Sequence, residues 1–231
     1  YPAETFRSFV DATPIGEGEA AVRAGLGFRG RNSLLITPAH GSWVFLGEIV
    51  STLPFSNSEN QRFGERHASC PDRCRRCIEA CPGSAISMPG VIDARRCVSY
   101  LTIEYDGVIP DDLMEAMGTR LFGCDTCQEV CPLNRDVTDT SITTFVRHIA
   151  GPRVDVGSVL EIEDTVEYTR RFAGSPLMRA GRRRLVRNAL VVAANGGMRG
   201  LRDRATALTD DPDPVISETA RWAAAKLAGT R

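Results

Sequence analysis

The stretch Cys70-Pro71-Asp72-Arg73-Cys74-Arg75-Arg76-Cys77-Ile78-Glu79-Ala80-Cys81-Pro82, followed by a lone Cys97 and then by Gly123-Cys124-Asp125-Thr126-Cys127-Gln128-Glu129-Val130-Cys131-Pro132, holds all eight cysteines of this 231-residue chain. The spacing reads C-x3-C-x2-C-x3-C-P, then C, then C-x2-C-x3-C-P. A cubane 4Fe–4S cluster needs four thiolates converging from different directions, and short C-x2-C turns deliver two or three of them from one loop. The fourth comes from elsewhere in the chain. Where two such clusters share a module, the cysteine before proline leaves its own run and ligates the other cluster, because proline turns the chain away. The spacing therefore predicts two interlocked clusters, one held by Cys70, Cys74, Cys77 and Cys131, the other by Cys97, Cys124, Cys127 and Cys81.

Structural zinc is the competing reading of paired C-x2-C knuckles, but zinc sites lack the x3-Cys-Pro tail. Disulfides fit less well, since a chain of this length buries a core without them. One irregularity stands out: the first interval is x3 and contains Pro71, where the ferredoxin run has x2.

An apolar content of 42% with 25% charged residues is ordinary for a soluble globular protein, and the net charge of -1 identifies no partner. The distribution of charge is more telling. Residues 165–204 hold ten arginines against Glu167 and Asp203, whereas the tail from Asp210 is acid-rich. No apolar run approaches the ~20 residues that span a bilayer. The chain opens at Tyr1 rather than methionine, which reads as a protein lacking an N-terminal portion and, with it, any targeting signal.

Residues 17–24 suit a short helix closed by Gly25 and Gly27. Residues 33–36 and 42–50 are apolar runs of strand length on either side of Ala39-His40-Gly41-Ser42, predicting a hairpin buried on both faces. Its neighbouring strands are then expected in the missing N-terminal part, and residues 1–57 read as part of a larger domain. Residues 58–140 form the cluster domain, with a helix over 110–121 that starts at Pro110, is favoured by Asp111 and Asp112, and stops at Gly123. Residues 141–231 are helical. Leu185, Val186, Ala189, Leu190 and Ala193 mark a helix over 182–194 that ends at Asn195-Gly196-Gly197, and Asp213-Pro214 starts another. Short helices with such a corner look like a HEAT-type repeat. The fold class expected is α+β: part of an α/β domain, a ferredoxin-like two-cluster domain and a helical C-terminal region.

Several segments together resemble the epoxyqueuosine reductases, iron–sulfur and cobalamin enzymes that finish queuosine synthesis in tRNA. The carriers are Val10-Asp11-Ala12-Thr13-Pro14, the corner from Ala24 to Ser33, Gly41-Ser42-Trp43-Val44-Phe45-Leu46-Gly47-Glu48, the run from Asp93 to Glu104, and the second cysteine motif. The match covers nearly the whole chain. It implies a cytoplasmic, monomeric enzyme of reductive deoxygenation, in which low-valent cobalt of cobalamin attacks the epoxide carbon or delivers electrons to it. The clusters feed the cobalt, an acid protonates the departing oxygen, and a donor such as ferredoxin or flavodoxin supplies the electrons.

By family position that acid is Asp11, which would need a raised pKa, as burial against the corrin could provide. Its structural alternative is a turn aspartate ahead of Pro14. Gly25, Gly27 and Gly30 would let backbone approach the corrin, although a helix cap and a turn explain them equally. Leu35, Leu46, Tyr100 and Asp125 are the expected cobalamin contacts; core packing accounts for the leucines as well, whereas Tyr100 and Asp125 lie close in sequence to cluster ligands. Arg179, Arg182, Arg183, Arg184 and Arg187 form a candidate tRNA phosphate face, since the planar guanidinium donates two bonds at once. The alternative is a solvated face paired to Asp210, Asp211 and Asp213. His40, His67 and His148 carry no motif.

Two positions depart from the family. Gly18 follows Glu17 where an arginine is usual, and Arg31 stands where lysine is usual. They leave room for a different substrate, as in a reductive dehalogenase, which pairs the same cofactors. A ferredoxin-like electron carrier without catalysis is the third reading. The arginine-rich tail favours tRNA.

Overall fold

The computed structural model describes residues 2–11, 14–54, 69–146, 149–151 and 153–229. In chain order the regular elements are β1 (Phe6–Phe9), α1 (Glu17–Arg23), β2 (Phe28–Arg29), β3 (Leu35–Ile36), β4 (Glu48–Ser51), α2 (Arg76–Ala80), β5 (Ile86–Met88), β6 (Val91–Ile92), α3 (Val98–Ile103), α4 (Asp111–Met117) and α5 (Thr126–Glu129). The C-terminal part continues as α6 (Val156–Leu160), α7 (Thr165–Phe172), α8 (Gly181–Asn195), α9 (Arg202–Ala207) and α10 (Pro214–Gly229). The chain is mixed α+β. Two compact units divide it: Tyr1–Cys81 with Ile86–Ile92 and Thr126–Asp139, and Pro82–Ala85 with Asp93–Asp125 and Thr140–Arg231. Among the described residues no helix is long and apolar enough to cross a membrane.

In the first unit the strands form three separate antiparallel pairs rather than one sheet: β1 with β4, β2 with β3, and β5 with β6. The hairpin predicted from 33–36 and 42–50 is therefore corrected. An isolated bridge between Thr37 and Gly41, in the segment that separates the two runs, is all that forms there. β3 instead pairs with β2, Arg29 opposite Leu35, and β4 pairs with β1, Phe9 opposite Glu48, so the partner strands come from within this chain. Nor is the second run buried, since Ile49 is 72% and Val50 54% exposed. A two-stranded ribbon has no second layer to cover its apolar side chains. Helix α1 forms as expected, with Glu17 and Glu19 in the first turn complementing its dipole and Gly25 (φ 77°) supplying the left-handed turn after it.

The second unit is built around α8. Every residue from Leu185 to Ala194 is buried, so this part of the helix is enclosed on all sides, with Arg187 and Asn188 as its polar members. Leu185, Val186, Ala189 and Leu190 pack with Tyr168, Phe172, Ile216, Ala220 and Ala223, the faces of α7 and α10. On its other side Val191 joins Val98, Leu101, Leu113, Met114 and Met117 from α3 and α4. Full burial of such side chains contributes about 1.5–3 kcal/mol each. Helix α4 is shorter than the predicted 110–121, because Gly118 adopts φ 57° and ends it five residues before Gly123.

Candidate metal centre

Four of the eight cysteines line one cavity, although among the described residues no group of three or more His, Cys, Asp or Glu is gathered closely enough to hold a single metal ion. Cys70, Cys74, Cys77 and Cys131 line a single small cavity, partly open to solvent, whose other walls are Ile36, Pro71, Pro132 and Leu133 with Arg31, Asn32 and Arg76. Local chain geometry explains the convergence. Cys77 sits in the first turn of α2, which packs against α5, and Cys131 lies two residues after the end of α5, with Pro132 starting a 3-10 turn that redirects the chain. Arg73, at φ 54°, takes up the extra residue of the C-x3-C interval in a left-handed turn, and the amide of Cys74 closes it on the Pro71 carbonyl at 3.1 Å. Cys70 thus reaches the same cavity despite the longer interval.

Burial pushes the Cys77 thiol up, and neighbouring Cys70, Cys131 and Cys74 add to it; burial likewise raises Cys131, against the backbone amide of Leu133. Four thiolates crowded in a largely apolar pocket repel one another, and only a cationic centre such as iron makes the deprotonated set favourable. All eight cysteines are free of disulfides. The amide of Arg31 donates to the Cys70 sulfur at 3.4 Å, and the Arg31 guanidinium donates to the Cys74 carbonyl. Donors of this kind to ligand sulfurs are what tune a cluster's potential. The donor set and the cavity fit a 4Fe–4S cluster.

The remaining four cysteines divide between the units. Cys81 and Cys127 belong to the first and Cys97 and Cys124 to the second. Within the second unit, Cys97 caps α3 and Cys124 follows Gly123, whose amide donates to the Thr102 hydroxyl at 3.0 Å; that hydroxyl in turn donates to the Val98 carbonyl at 2.8 Å. Helix α8 braces the same segment. The Asn188 amide donates to the carbonyls of Thr102 at 2.8 Å and Leu121 at 3.0 Å, and Arg187 donates to those of Tyr105 at 2.6 Å, Gly107 at 2.7 Å and Leu101.

Arg187 therefore corrects the predicted tRNA face, being fully buried and committed to main-chain oxygens and to Asn188 Oδ1. Burial pushes its guanidinium down to about 10, with Arg184 adding to the shift, so it stays charged at neutral pH. Asn188→Ala should lower the unfolding free energy by about 2 kcal/mol by stranding two buried carbonyls. Urea unfolding with an unchanged slope checks this, and an unshifted midpoint would refute the brace.

The other arginines of that row are ion-paired, Arg179 with Glu104, Arg182 with Asp211, Arg183 with Asp213 and Asp106, and Arg184 with Asp106. Arg182 and Arg184 are 15% and 22% exposed, Arg179 and Arg183 55% and 45%. Asp210 has no such pair with them among the described residues.

Leu35 and Leu46 line a second cavity, of about 380 Å³, with Leu26, Val44, Phe45 and His40. Gly27 and Gly30 have reasons inside the fold: a Cβ at Gly27 would stand 2.2 Å from the Ile36 carbonyl oxygen, and one at Gly30 2.6 Å from Ile36 Cδ1. Tyr100 is 37% exposed, its ring 6.4 Å from that of Tyr105, and Asp125 borders a depression with Leu121, Phe122 and Phe145. Asp11 is exposed rather than buried, in a left-handed conformation (φ 51°), and its amide donates to Glu17 Oε1 at 2.6 Å. Ala12 and Thr13 of the same motif, and His67 and His148, lie outside the described residues.

Two features escaped sequence reasoning. Asn134 and Ser42 exchange hydrogen bonds, Ser42 amide to Asn134 Oδ1 and Asn134 Nδ2 to Ser42 Oγ, both at 2.8 Å, which anchors the Gly41-Ser42 turn to the loop after Cys131. Glu48, two residues beyond Leu46, has its carboxyl raised first by burial and then by nearby Glu17, and its Oε2 is buried without a partner among the described residues. A conspicuous Gly-Glu at the end of an apolar run was the available signal.

Residues 69–134 match the model of the 4Fe-4S double cluster binding domain. The chain is 42% identical over 193 residues to the epoxyqueuosine reductase of Vibrio cholerae, an alignment covering 82% of this chain and 50% of that protein. It is also similar to a crystal structure of an epoxyqueuosine reductase with an epoxyqueuosine-modified tRNA-Tyr stem loop (TM-score 0.87, 32% identity, 97% of this chain and 58% of that one). A third match is the Bacillus subtilis epoxyqueuosine reductase with its aspartate-bearing catalytic loop swung out of the active site (TM-score 0.85, 32% identity, 98% and 58%). The chain thus spans about half of these relatives' length.

Proposed function

The chain belongs to the epoxyqueuosine reductase family, and we propose on that premise that it serves the reductive deoxygenation of epoxyqueuosine to queuosine in tRNA. The cavity that gathers Cys70, Cys74, Cys77 and Cys131 inside a double-cluster domain is the observation that carries this reading, because the reaction consumes electrons and this is where the chain can store them. Cys81, Cys97, Cys124 and Cys127 complete the second cluster.

The apolar cavity around Leu35 and Leu46 suits one face of a corrin in character. Cobalamin held there would supply the low-valent cobalt chemistry at the epoxide carbon. Residues 1–57 then act as the C-terminal part of a cobalamin-binding domain, residues 58–140 as the ferredoxin-like domain and 141–231 as a HEAT-like tRNA-binding region. The exposed apolar side chains of the β1–β4 ribbon suit part of a larger sheet. Asp11 is the acid for the departing oxygen: the Bacillus subtilis relative has an aspartate-bearing catalytic loop swung out of its active site, and the exposed position of Asp11 in this chain is compatible with such an open arrangement. Arg179 and Arg183 offer the most accessible guanidiniums for phosphate, which must compete with Glu104, Asp106 and Asp213 for them. A low-potential ferredoxin or flavodoxin is the donor.

The test is anaerobic turnover of epoxyqueuosine-bearing tRNA by the protein reconstituted with iron, sulfide and cobalamin, with released nucleosides read by mass spectrometry. Queuosine formed only with cobalamin and reductant present is the expected result. No conversion by protein that demonstrably holds both clusters and cobalamin would remove the reading.

A further inference from the structure

The wall between the thiol cavity and the outside is thin on one side. Pro71, Cys74, Arg76 and Pro132 line the cavity and also line an outer depression of about 730 Å³, whose remaining walls are Asp72, Arg73, Arg75 and Glu79. Cys74 therefore borders the thiol cavity on one side and the outer depression on the other. Arg73, Arg75 and Arg76 are all exposed. Among the described residues Arg73 and Arg76 have no hydrogen-bond or ion-pair partner, and Arg75 makes one loose pair, 3.5 Å to Glu79, with both side chains largely exposed. These charges contrast with the arginines around α8, which are already engaged.

We infer that this depression is the electron-entry face of the protein: the docking site of an acidic one-electron carrier protein, whose carboxylates meet Arg73, Arg75 and Arg76 above Cys74. Charge complementarity raises the rate of encounter and orients the partner, and the weak, solvated pairing suits a complex that must separate after each transfer. One electron passes per encounter, the carrier being oxidised by one and the cluster behind Cys74 reduced by one. An RNA partner fits less well, because no aromatic side chain lines the depression for bases to stack on.

The inference rests on the double-cluster part of the proposed function and not on the substrate. Its test is anaerobic stopped-flow reduction of the reconstituted protein by flavodoxin hydroquinone, followed as bleaching of the cluster absorption without tRNA or cobalamin. Arg73→Asp is chosen because aspartate tolerates a left-handed backbone. At low ionic strength it should slow reduction about tenfold, while Glu79→Gln should speed it about threefold, and both differences should vanish at high salt. Iron content and photoreduction by neutral deazariboflavin should match the wild type in both variants. Unchanged flavodoxin rates in both would overturn the assignment, as would a loss of stem-loop binding in Arg73→Asp with carrier rates untouched. A protein that depends on Arg73 for reduction yet leaves epoxyqueuosine intact would remove the deoxygenation reading alone.

Discussion

Cys131→Ala abolishes one of the two cubane clusters and leaves the other, and combining it with Cys77→Ala removes nothing more. The prediction follows from the cavity, where Cys131 lies with Cys70, Cys74 and Cys77 and not with the cysteines of its own C-x2-C-x3-C run. Two losses in one cluster count once; losses in different clusters count twice. Cys131→Ala with Cys124→Ala should therefore strip both, taking the iron from about eight per chain to near zero. Iron and sulfide analysis with electron paramagnetic resonance of the reduced protein reads the outcome. Retention of one intact cluster in the Cys131/Cys124 double variant, with both clusters gone in Cys131/Cys77, would reverse the pairing. Cys70→Ala belongs to the same set and should behave as Cys131→Ala does, because the left-handed turn at Arg73 absorbs the longer interval and the Arg31 amide already points at the Cys70 sulfur.

How much of this was legible in the sequence depended on how local the cause was. Ligand spacing is local: Cys70, Cys74 and Cys77 lie within one turn-sized loop, and the direction of Cys131 is imposed by the proline beside it. Helices α1, α8 and α10 were readable for the same reason, since capping residues and 3.6-residue periodicity act over a few positions. Strand pairing is not local. The apolar runs on either side of Gly41 looked like each other's partners, but β3 chose β2 and β4 chose β1, and no pattern within either run states that preference. The end of α4 was missed because Gly118 and Gly123 are equally capable of the left-handed conformation, and tertiary packing uses the first.

The arginine row misled in a different way. Arg183, Arg184 and Arg187 look alike in a string of letters, yet the helix turns Arg187 onto the buried face, where carbonyls exposed by the loop after α3 receive it. Its position inside the run Leu185 to Ala194, apolar apart from Arg187 and Asn188, was the signal that this pair is structural.

Asp11→Asn should lower turnover of epoxyqueuosine about 10²- to 10⁴-fold, the range for loss of a general acid, while both clusters and bound cobalamin are retained. The substitution separates chemistry from architecture. Asparagine tolerates the left-handed backbone at this position as well as aspartate does, and the amide that donates to Glu17 Oε1 belongs to the main chain and survives. What is lost is the carboxyl group itself. If Asp11 served only to shape the turn ahead of Pro14, Asp11→Asn would turn over normally and Asp11→Gly, which also fits the conformation, would do so too. The acid role predicts that both fail, and that the loss resides in kcat with the KM for tRNA nearly unchanged, because a proton donor acts in the transition state. Full turnover by Asp11→Asn with normal iron and cobalamin would exclude Asp11 as the acid and direct attention to Glu48, whose carboxyl is raised by burial and by Glu17.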